Sequence, residues 1–302
     1  MTIAADVSEL HTSDSDETSM PGGIDVADIV VSRTVKRPVG QRVARGIIRA
    51  LPALGVFVII MGIWYAINAS LDPTKRFLLP RPDEVITQGL FGPNQDWQRI
   101  LISIGLTTEV AISGLVIAAV IGIAWAVGMS MGRWVERSTY PYAVILQTIP
   151  ILAITPLIGF WFGFEFPARL VVTVMIALFP MVSNTLFGLQ SVDRSQHELF
   201  QLQKAGRWTV LTKLMFPAAL PSIFVGLRTS AGLAVVGAIV GDIFFQRGTP
   251  GIGAQIQIYT RLLESPQLIA AILGSALLGV LMFLIFGLLS KLAVGKWYDP
   301  VK

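Results

Sequence analysis

The chain has 302 residues, of which 53% are apolar and only 14% are charged, and it contains no cysteine. This composition is typical of polytopic membrane proteins, and it excludes disulfides and thiolate metal sites. The net charge of +4 is unevenly distributed, since residues 1–32 carry seven acids and no lysine or arginine. We therefore predict that residues 1–46 form a disordered cytoplasmic tail, acidic and then basic, before a membrane domain over residues 47–302.

Six apolar stretches are long enough to cross a bilayer, which requires about 20 residues. We predict spans near residues 50–70, 101–130, 139–162, 168–190, 218–245 and 267–292. If the N-terminus is cytoplasmic, the inner segments hold fifteen basic residues and the outer segments hold seven. Cytoplasmic loops are enriched in basic residues, so both termini are expected in the cytoplasm of a cell with this protein in its membrane. The basic residues form no aromatic–basic platform, and nucleic acid is not an expected partner.

Small residues recur at every fourth position along the predicted spans. The second span has Gly114, Ala118, Gly122 and Ala126, and the fifth has Gly226, Ser230, Ala234 and Ala238. Small residues at this spacing allow helices to approach closely within a membrane. The pattern predicts an all-α bundle of about six packed transmembrane helices.

The third predicted span, 139–162, contains two prolines, Pro150 and Pro156. Each removes a backbone donor, and Thr148 and Thr155 are near enough to compensate freed carbonyl groups. Two interpretations remain open at this point. The segment is either an ordinary kinked helix or a helix that bends during gating and lines the pathway.

Three isolated charges stand out inside predicted spans, where each costs about 3 kcal/mol or more at the bilayer centre unless it is compensated. For Arg228 we favour snorkelling toward the cytoplasm. Asp242, near the outer end of its span, either reaches outer-surface water, or lines the pathway entrance or forms a gate pair. Glu109, which follows Thr107, either pairs with Arg228 or another basic residue, or accepts hydrogen bonds from a neutral or cationic heterocycle on the pathway.

A polar segment, residues 191–217, separates the fourth and fifth spans and is expected to stand clear of the lipid. It resembles the cytoplasmic signature of permease subunits of binding-protein-dependent ABC importers, which is E-A-A, three residues, G, nine residues and I-x-L-P. Glu198 and Pro217 fit this signature. Leu199, Phe200 and Lys204 occupy the two alanine positions and the glycine position.

Further segments are similar to the nitrate/sulfonate/taurine-type branch of these type I permeases. They are FLLPRPDEV, GRW at 206–208, FPAALPSIFVGLR at 216–228 and GTPGIG at 248–253. The resemblance implies a coupling helix at about 195–208 that docks on an ATPase subunit. The residues implied in coupling are Glu198, Leu199, Phe200, Lys204, Arg207, Trp208 and Pro217.

The resemblance also implies the partners of the chain. They are ABC ATPase subunits, an extracytoplasmic solute-binding protein, and a second permease that is the same chain or a related one, all set in membrane lipid. The chain lacks a G-x-x-x-x-G-K-[ST] motif, so ATP and Mg are expected on the ATPase, and this transport subunit is not expected to be an enzyme or to hold a cofactor. Sulfonates, nitrate, taurine and pyrimidine-type precursors are the implied solutes.

A different class of function was also considered. An ion-coupled secondary transporter could use Glu109 and Asp242 as coupling carboxylates. The chain shows no inverted repeat and no matched pair of interrupted spans, which are typical of such carriers.

Overall fold

The computed structural model describes residues 39–92 and 96–295, with side chains from residue 51 onward. The predicted tail lies outside the described residues as far as residue 38, and its boundary at residue 46 stays a prediction. The chain divides into two units, residues 1–58 and residues 59–302, and the account below concerns the second unit. Within the described ranges every regular element is helical, which confirms the all-α prediction.

The helices alternate between long apolar segments and short surface elements. In chain order they are α1 (Val39–Ser70), a 3₁₀ helix (Pro73–Leu78), α2 (Pro82–Glu84) continuing as a π-helix (Val85–Leu90), α3 (Asp96–Ser130), α4 (Arg133–Thr148), α5 (Ile151–Phe162), α6 (Phe166–Gln190), α7 (Arg194–Leu202), α8 (Arg207–Val210) continuing as a π-helix (Leu211–Met215), α9 (Phe216–Phe244), α10 (Ile252–Leu262) and α11 (Ser265–Val294). Five helical segments are long and apolar enough to cross a membrane, and the bent pair α4–α5 provides a sixth candidate. This agrees with the six predicted spans.

The third span is where the structure departs from a simple kinked helix. α4 and α5 meet at an angle of 98°. Ile149, just before Pro150, has φ −62° and ψ 126°, an extended conformation that ends α4. The ring of a proline disfavours the helical conformation in the residue before it, which explains the break. Pro156, in contrast, lies inside α5 and does not end it.

α6 packs against both α3 and α9, and α3 and α9 also contact each other. A Cβ atom on Gly114 of α3 would collide with Thr173 of α6, and one on Gly226 of α9 would lie 2.9 Å from the Asn184 Cβ of α6. The Ser230 hydroxyl of α9 donates a hydrogen bond to the carbonyl oxygen of Ala177, at 2.8 Å. The small-residue stripes therefore bring the three helices together, as predicted.

The two ends of the bundle carry different short helices. We call the end that carries α10 and the start of α3 the α10 end, and the end that carries α7 the α7 end. α6 and α9 run between them, so that Arg169 and Asp242 lie at the α10 end while the polar segment after α6 lies at the α7 end. The candidate residues fall into groups at these ends and between them.

Candidate functional site

A buried ion pair connects α6 to α9 at the α10 end. Arg169 Nη1 lies 3.3 Å from Asp242 Oδ1, and the two side chains are 2% and 0% exposed. Asp242 Oδ2 accepts a hydrogen bond from the Thr107 hydroxyl of α3 at 2.6 Å. Thr107 Oγ1 in turn accepts the Ile252 backbone N–H at 2.8 Å, and Arg169 Nη1 donates to the Thr249 carbonyl oxygen at 2.8 Å. We call Thr107, Arg169 and Asp242 the buried network.

The buried network corrects one interpretation of Asp242. Because this side chain is fully buried, it does not reach water from the surface of the chain. Its partner Arg169 is the fourth residue of α6, at the start of the fourth predicted span. Gly251 completes the close packing, since a Cβ there would collide with Thr107 and Asp242. The polar groups that the sequence placed on the pathway here hold three helices and a loop together.

A second polar contact joins α10 to the start of α3. The Tyr259 hydroxyl donates a hydrogen bond to Asp96 Oδ1 at 3.3 Å, and both side chains are buried. Burial, together with the negative charge of Asp96, raises the pKa of Tyr259 to about 12. The hydroxyl is therefore a protonated donor over the physiological pH range, and it helps to fix α10 on α3.

Glu109 lies on the exposed face of α3 and not in the core. Its exposed neighbours along this face are Gly105, Ile112, Val116 and Val120. Among the residues that the structure describes, no basic side chain forms an ion pair with Glu109. The predicted pair with Arg228 is therefore absent.

Arg228 is accounted for by α11. Its guanidinium carbon lies 3.8 Å from the centre of the Phe283 ring, a cation–π contact. Gly287 leaves room for the guanidinium, because a Cβ at that position would lie only 3.0 Å from Arg228 Nε. The contact with Phe283 holds the side chain between α9 and α11, and snorkelling of its guanidinium toward the cytoplasm stays a prediction.

The break between α4 and α5 adjoins a cavity of about 180 Å³, lined by residues that include Gln147, Met175 and Pro180. Pro150 and Pro156 are exposed. Thr155 is buried, and its hydroxyl donates to the Ile151 carbonyl oxygen at 2.8 Å. The predicted pathway residues thus separate into exposed, half-buried and buried groups. Glu109, Pro150 and Pro156 are exposed, Arg228 is half-buried, and Thr107, Thr155 and Asp242 are buried.

At the α7 end, α7 presents both charge and apolar surface. Arg194 Nε and Glu198 Oε1 form an ion pair at 3.1 Å, and the two side chains are 93% and 59% exposed. Leu199 and Leu202 are also exposed, the latter at 82%. Phe200 is half-buried.

α7 is shorter than the predicted helix of residues 195–208, and its end explains the unusual lysine. Lys204 has φ +52°, in the left-handed region. Its N–H donates to the Gln201 carbonyl oxygen at 2.9 Å, and the Ala205 N–H donates to the Phe200 carbonyl oxygen at 3.0 Å. This pair of hydrogen bonds is a Schellman motif, in which glycine usually occupies the left-handed position. Lys204 therefore adopts a left-handed conformation, which favours glycine, at the position where the resembled signature has glycine.

A second helical run connects this turn to the membrane. Arg207 begins α8, Trp208 is exposed, and a single π-helical segment leads into α9. The Phe216 N–H donates to the Leu211 carbonyl oxygen, five residues earlier. Pro217 follows at once and has no N–H to continue the ladder. The signature proline thus lies where the widened turn becomes a regular α-helix.

Residues 114–295 match the family described as the inner membrane component of binding-protein-dependent transport systems. The chain is 31% identical over 255 residues to the riboflavin transport system permease protein RibX of Chloroflexus aurantiacus, covering 82% of this chain and 91% of the relative. It is 33% identical over 237 residues to the formylaminopyrimidine transport permease protein ThiX of Halalkalibacterium halodurans, covering 78% and 91%.

The fold is also similar to that of a solved transporter structure. A crystal structure of an amino acid ABC transporter with histidines superposes with a TM-score of 0.53 at 16% identity, covering 66% of this chain and 94% of that chain. Nothing in these similarities supports the ion-coupled secondary transporter, and ATP hydrolysis in this family resides in a separate subunit. The chain belongs to the permease subunits of binding-protein-dependent ABC importers, in the nitrate, sulfonate and taurine branch that its motifs indicated.

Proposed function

We propose that α7 and the turn after it are the surface held by the ATPase subunit, with the α7 end and both termini in the cytoplasm. The observation that supports this most strongly is the exposure of Leu199, Leu202 and Trp208 next to the charged residues of α7. Exposed apolar side chains within a polar surface are typical of sites that bind another protein. ATP and Mg are bound by that partner, and the α10 end receives the extracytoplasmic binding protein.

The solute path lies between two copies of this chain in our proposal. Within one copy, α6 is in close contact with both α3 and α9 at glycines that leave no space for a Cβ atom. This packing leaves no room for a solute between these three helices. In a homodimer, the second copy lines the other side of the path. The alternative is a heterodimer with a related second permease. Copies with two different affinity tags should be recovered together if the homodimer forms.

The solute is proposed to be a nitrogen heterocycle. The names of the two relatives above refer to riboflavin and to formylaminopyrimidine, at 31% and 33% identity. An exposed carboxylate on a span, Glu109, is also better suited to a neutral or cationic solute than to nitrate, taurine or a sulfonate. Binding of candidate solutes by the cognate binding protein is the direct measurement.

The coupling role is tested with a matched pair of substitutions. Glu198→Ala and Arg194→Ala each remove the same exposed ion pair, but only the first removes the signature carboxylate. An exposed ion pair contributes about 0–1 kcal/mol, so neither change should unfold the protein. We expect Glu198→Ala to abolish ATP-driven uptake at an unchanged membrane level, and Arg194→Ala to retain it. Normal uptake in the Glu198→Ala variant contradicts the coupling role.

A further inference from the structure

The isolated charges Asp242, Arg228 and Glu109 are compensated to different degrees. Asp242 has its partner in Arg169, at 3.3 Å. Arg228 is held against Phe283. Glu109 has neither kind of contact among the residues that the structure describes.

Glu109 lies two residues after Thr107 on α3, close to the level of the buried network at the α10 end. Thirteen residues, or about 20 Å along the helix axis, separate it from Asp96 at the start of the helix. A carboxylate that faces lipid is costly, at about 3 kcal/mol or more at the bilayer centre.

Two cations on the helices packed around α3 are already engaged. Arg169 of α6 belongs to the buried network, and Arg228 of α9 packs against α11. On α3 itself, Arg99 is ten residues away, or about 15 Å along the axis. The basic residues Arg133 and Arg137 of α4 lie beyond the far end of α3.

The surroundings of Glu109 leave room for a ligand. Gly105 precedes it by one turn on the same face, and a Cβ atom there would have no other atom within 4 Å. The carboxylate therefore lies beside open space on an otherwise apolar stripe. An ionised carboxylate offers acceptors only, so it binds N–H donors and cations and repels anions.

We propose that Glu109 faces the water-filled solute path and selects solutes that carry N–H donors or a positive charge. This inference rests on the proposed function, because the path is formed by the importer. Glu109 is then a specificity-determining residue, with Gly105 providing space beside it. Lipid and a contact with the second copy are the two competing environments for this side chain.

The first test measures whether water reaches this position. The chain has no cysteine, so Glu109→Cys gives a unique thiol, and Leu284→Cys on the exposed face of α11 gives a control. Both are placed in the complex with ATPase and binding protein in vesicles and treated with a water-soluble thiol reagent. We expect labelling at position 109 to be at least about tenfold faster, since the thiolate reacts only where water supports it. Equal, slow labelling in every nucleotide state indicates lipid, and a 109–109 disulfide without labelling indicates a contact between copies. Either result overturns the proposal.

The second test measures charge selection without knowledge of the solute. The variant Ile112→Cys, one turn from Glu109, is treated with a cationic trimethylammonium and an anionic sulfonate methanethiosulfonate. The reacting thiolate itself favours the cationic reagent, so the quantity compared is the ratio of the two rates with and without the Glu109 charge. We expect Glu109→Gln to lower the cationic-to-anionic ratio about fivefold or more, because a unit charge one helical turn away attracts the cationic reagent. An unchanged ratio in Glu109→Gln overturns the proposal. Failure of the Glu198→Ala experiment would refute the coupling role but would leave these labelling rates unchanged, so the two hypotheses are tested separately.

Discussion

The two ends of the bundle use the same kind of ion pair in opposite ways. Arg169 and Asp242 at the α10 end are separated by 3.3 Å and are almost completely buried. Arg194 and Glu198 at the α7 end are separated by 3.1 Å but are 93% and 59% exposed. The geometry is similar and the environment differs. Breaking the first pair would leave a buried charge and destabilise the chain, whereas the second pair contributes little to stability and is accessible to another protein.

The apolar side chains show the same contrast. At the α10 end, Ile252 and Tyr259 are buried against the core. At the α7 end, Leu202 and Trp208 are exposed. Ile252 and Tyr259 complete their contacts within one chain, whereas Leu202 and Trp208 remain exposed for the proposed contact with the ATPase.

The largest expected effect follows from removing one member of the buried pair. Asp242→Ala leaves the Arg169 guanidinium buried without a counter-charge, which costs about 3–5 kcal/mol. We expect a marked fall in the thermal midpoint and in the yield of the purified permease. The combined variant Arg169→Met with Asp242→Leu should recover most of the loss, because it removes both charges and retains volume.

This pair of variants also separates structure from gating. If Asp242→Ala retains the parental midpoint and loses only uptake, the buried pair acts as a gate and the comparison between the two ends fails. If the double variant recovers the thermal midpoint but not uptake, the Arg169–Asp242 pair has both a structural role and a gating role.

A second prediction places the same change at each end. Leu202→Asp and Leu262→Asp both introduce a carboxylate at an exposed leucine, one on α7 and one on α10. Loss of a central apolar contact weakens a protein interface by about 2 kcal/mol, or roughly thirtyfold. We expect ATPase to dissociate from the Leu202→Asp variant during purification and to stay with the Leu262→Asp variant.

The thermal midpoint of both variants should remain near that of the parent, since exposed substitutions change stability by only about 0.5 kcal/mol. Equal ATPase retention in the two variants would mean that the exposed apolar surface of α7 is not the docking surface.

Patterns within short stretches of sequence predicted the membrane spans and the close packing between helices. The spans follow from hydropathy, and the close packing of α3, α6 and α9 follows from small residues spaced four apart. Residues 168–190 and 218–245 were predicted as spans, and they correspond to α6 and α9. The 98° turn at Pro150 could not be inferred, because the proline removes the helix locally but the direction of α5 depends on tertiary contacts.

The buried network and the cap of α7 show why the candidate site was harder to predict. Arg169 and Asp242 are 73 residues apart, and only the packing of α6 on α9 brings them together. The left-handed turn at Lys204 could not be predicted from the residue type, because two backbone hydrogen bonds, and not the conformational preference of lysine, set this conformation. Glu109 was found from the sequence because a charge in a span is conspicuous, but the absence of an ion pair within the chain became visible only in the fold.

The smallest expected effect concerns a motif that occurs at both ends. Leu263 at the end of α10 has φ +58°, with the Glu264 N–H donating to the Tyr259 carbonyl oxygen, so it repeats the cap formed by Lys204 at φ +52°. A left-handed conformation costs a residue with a side chain about 1 kcal/mol that glycine does not pay. Lys204→Gly and Leu263→Gly should therefore each raise the free energy of unfolding by up to about 1 kcal/mol. Uptake should be unchanged in both, because glycine is the residue of the family signature at the first position. A loss of ATPase retention in Lys204→Gly alone would show that the lysine ammonium contacts the ATPase, and the exposed surface of the α7 end would then include a charge as well as apolar side chains.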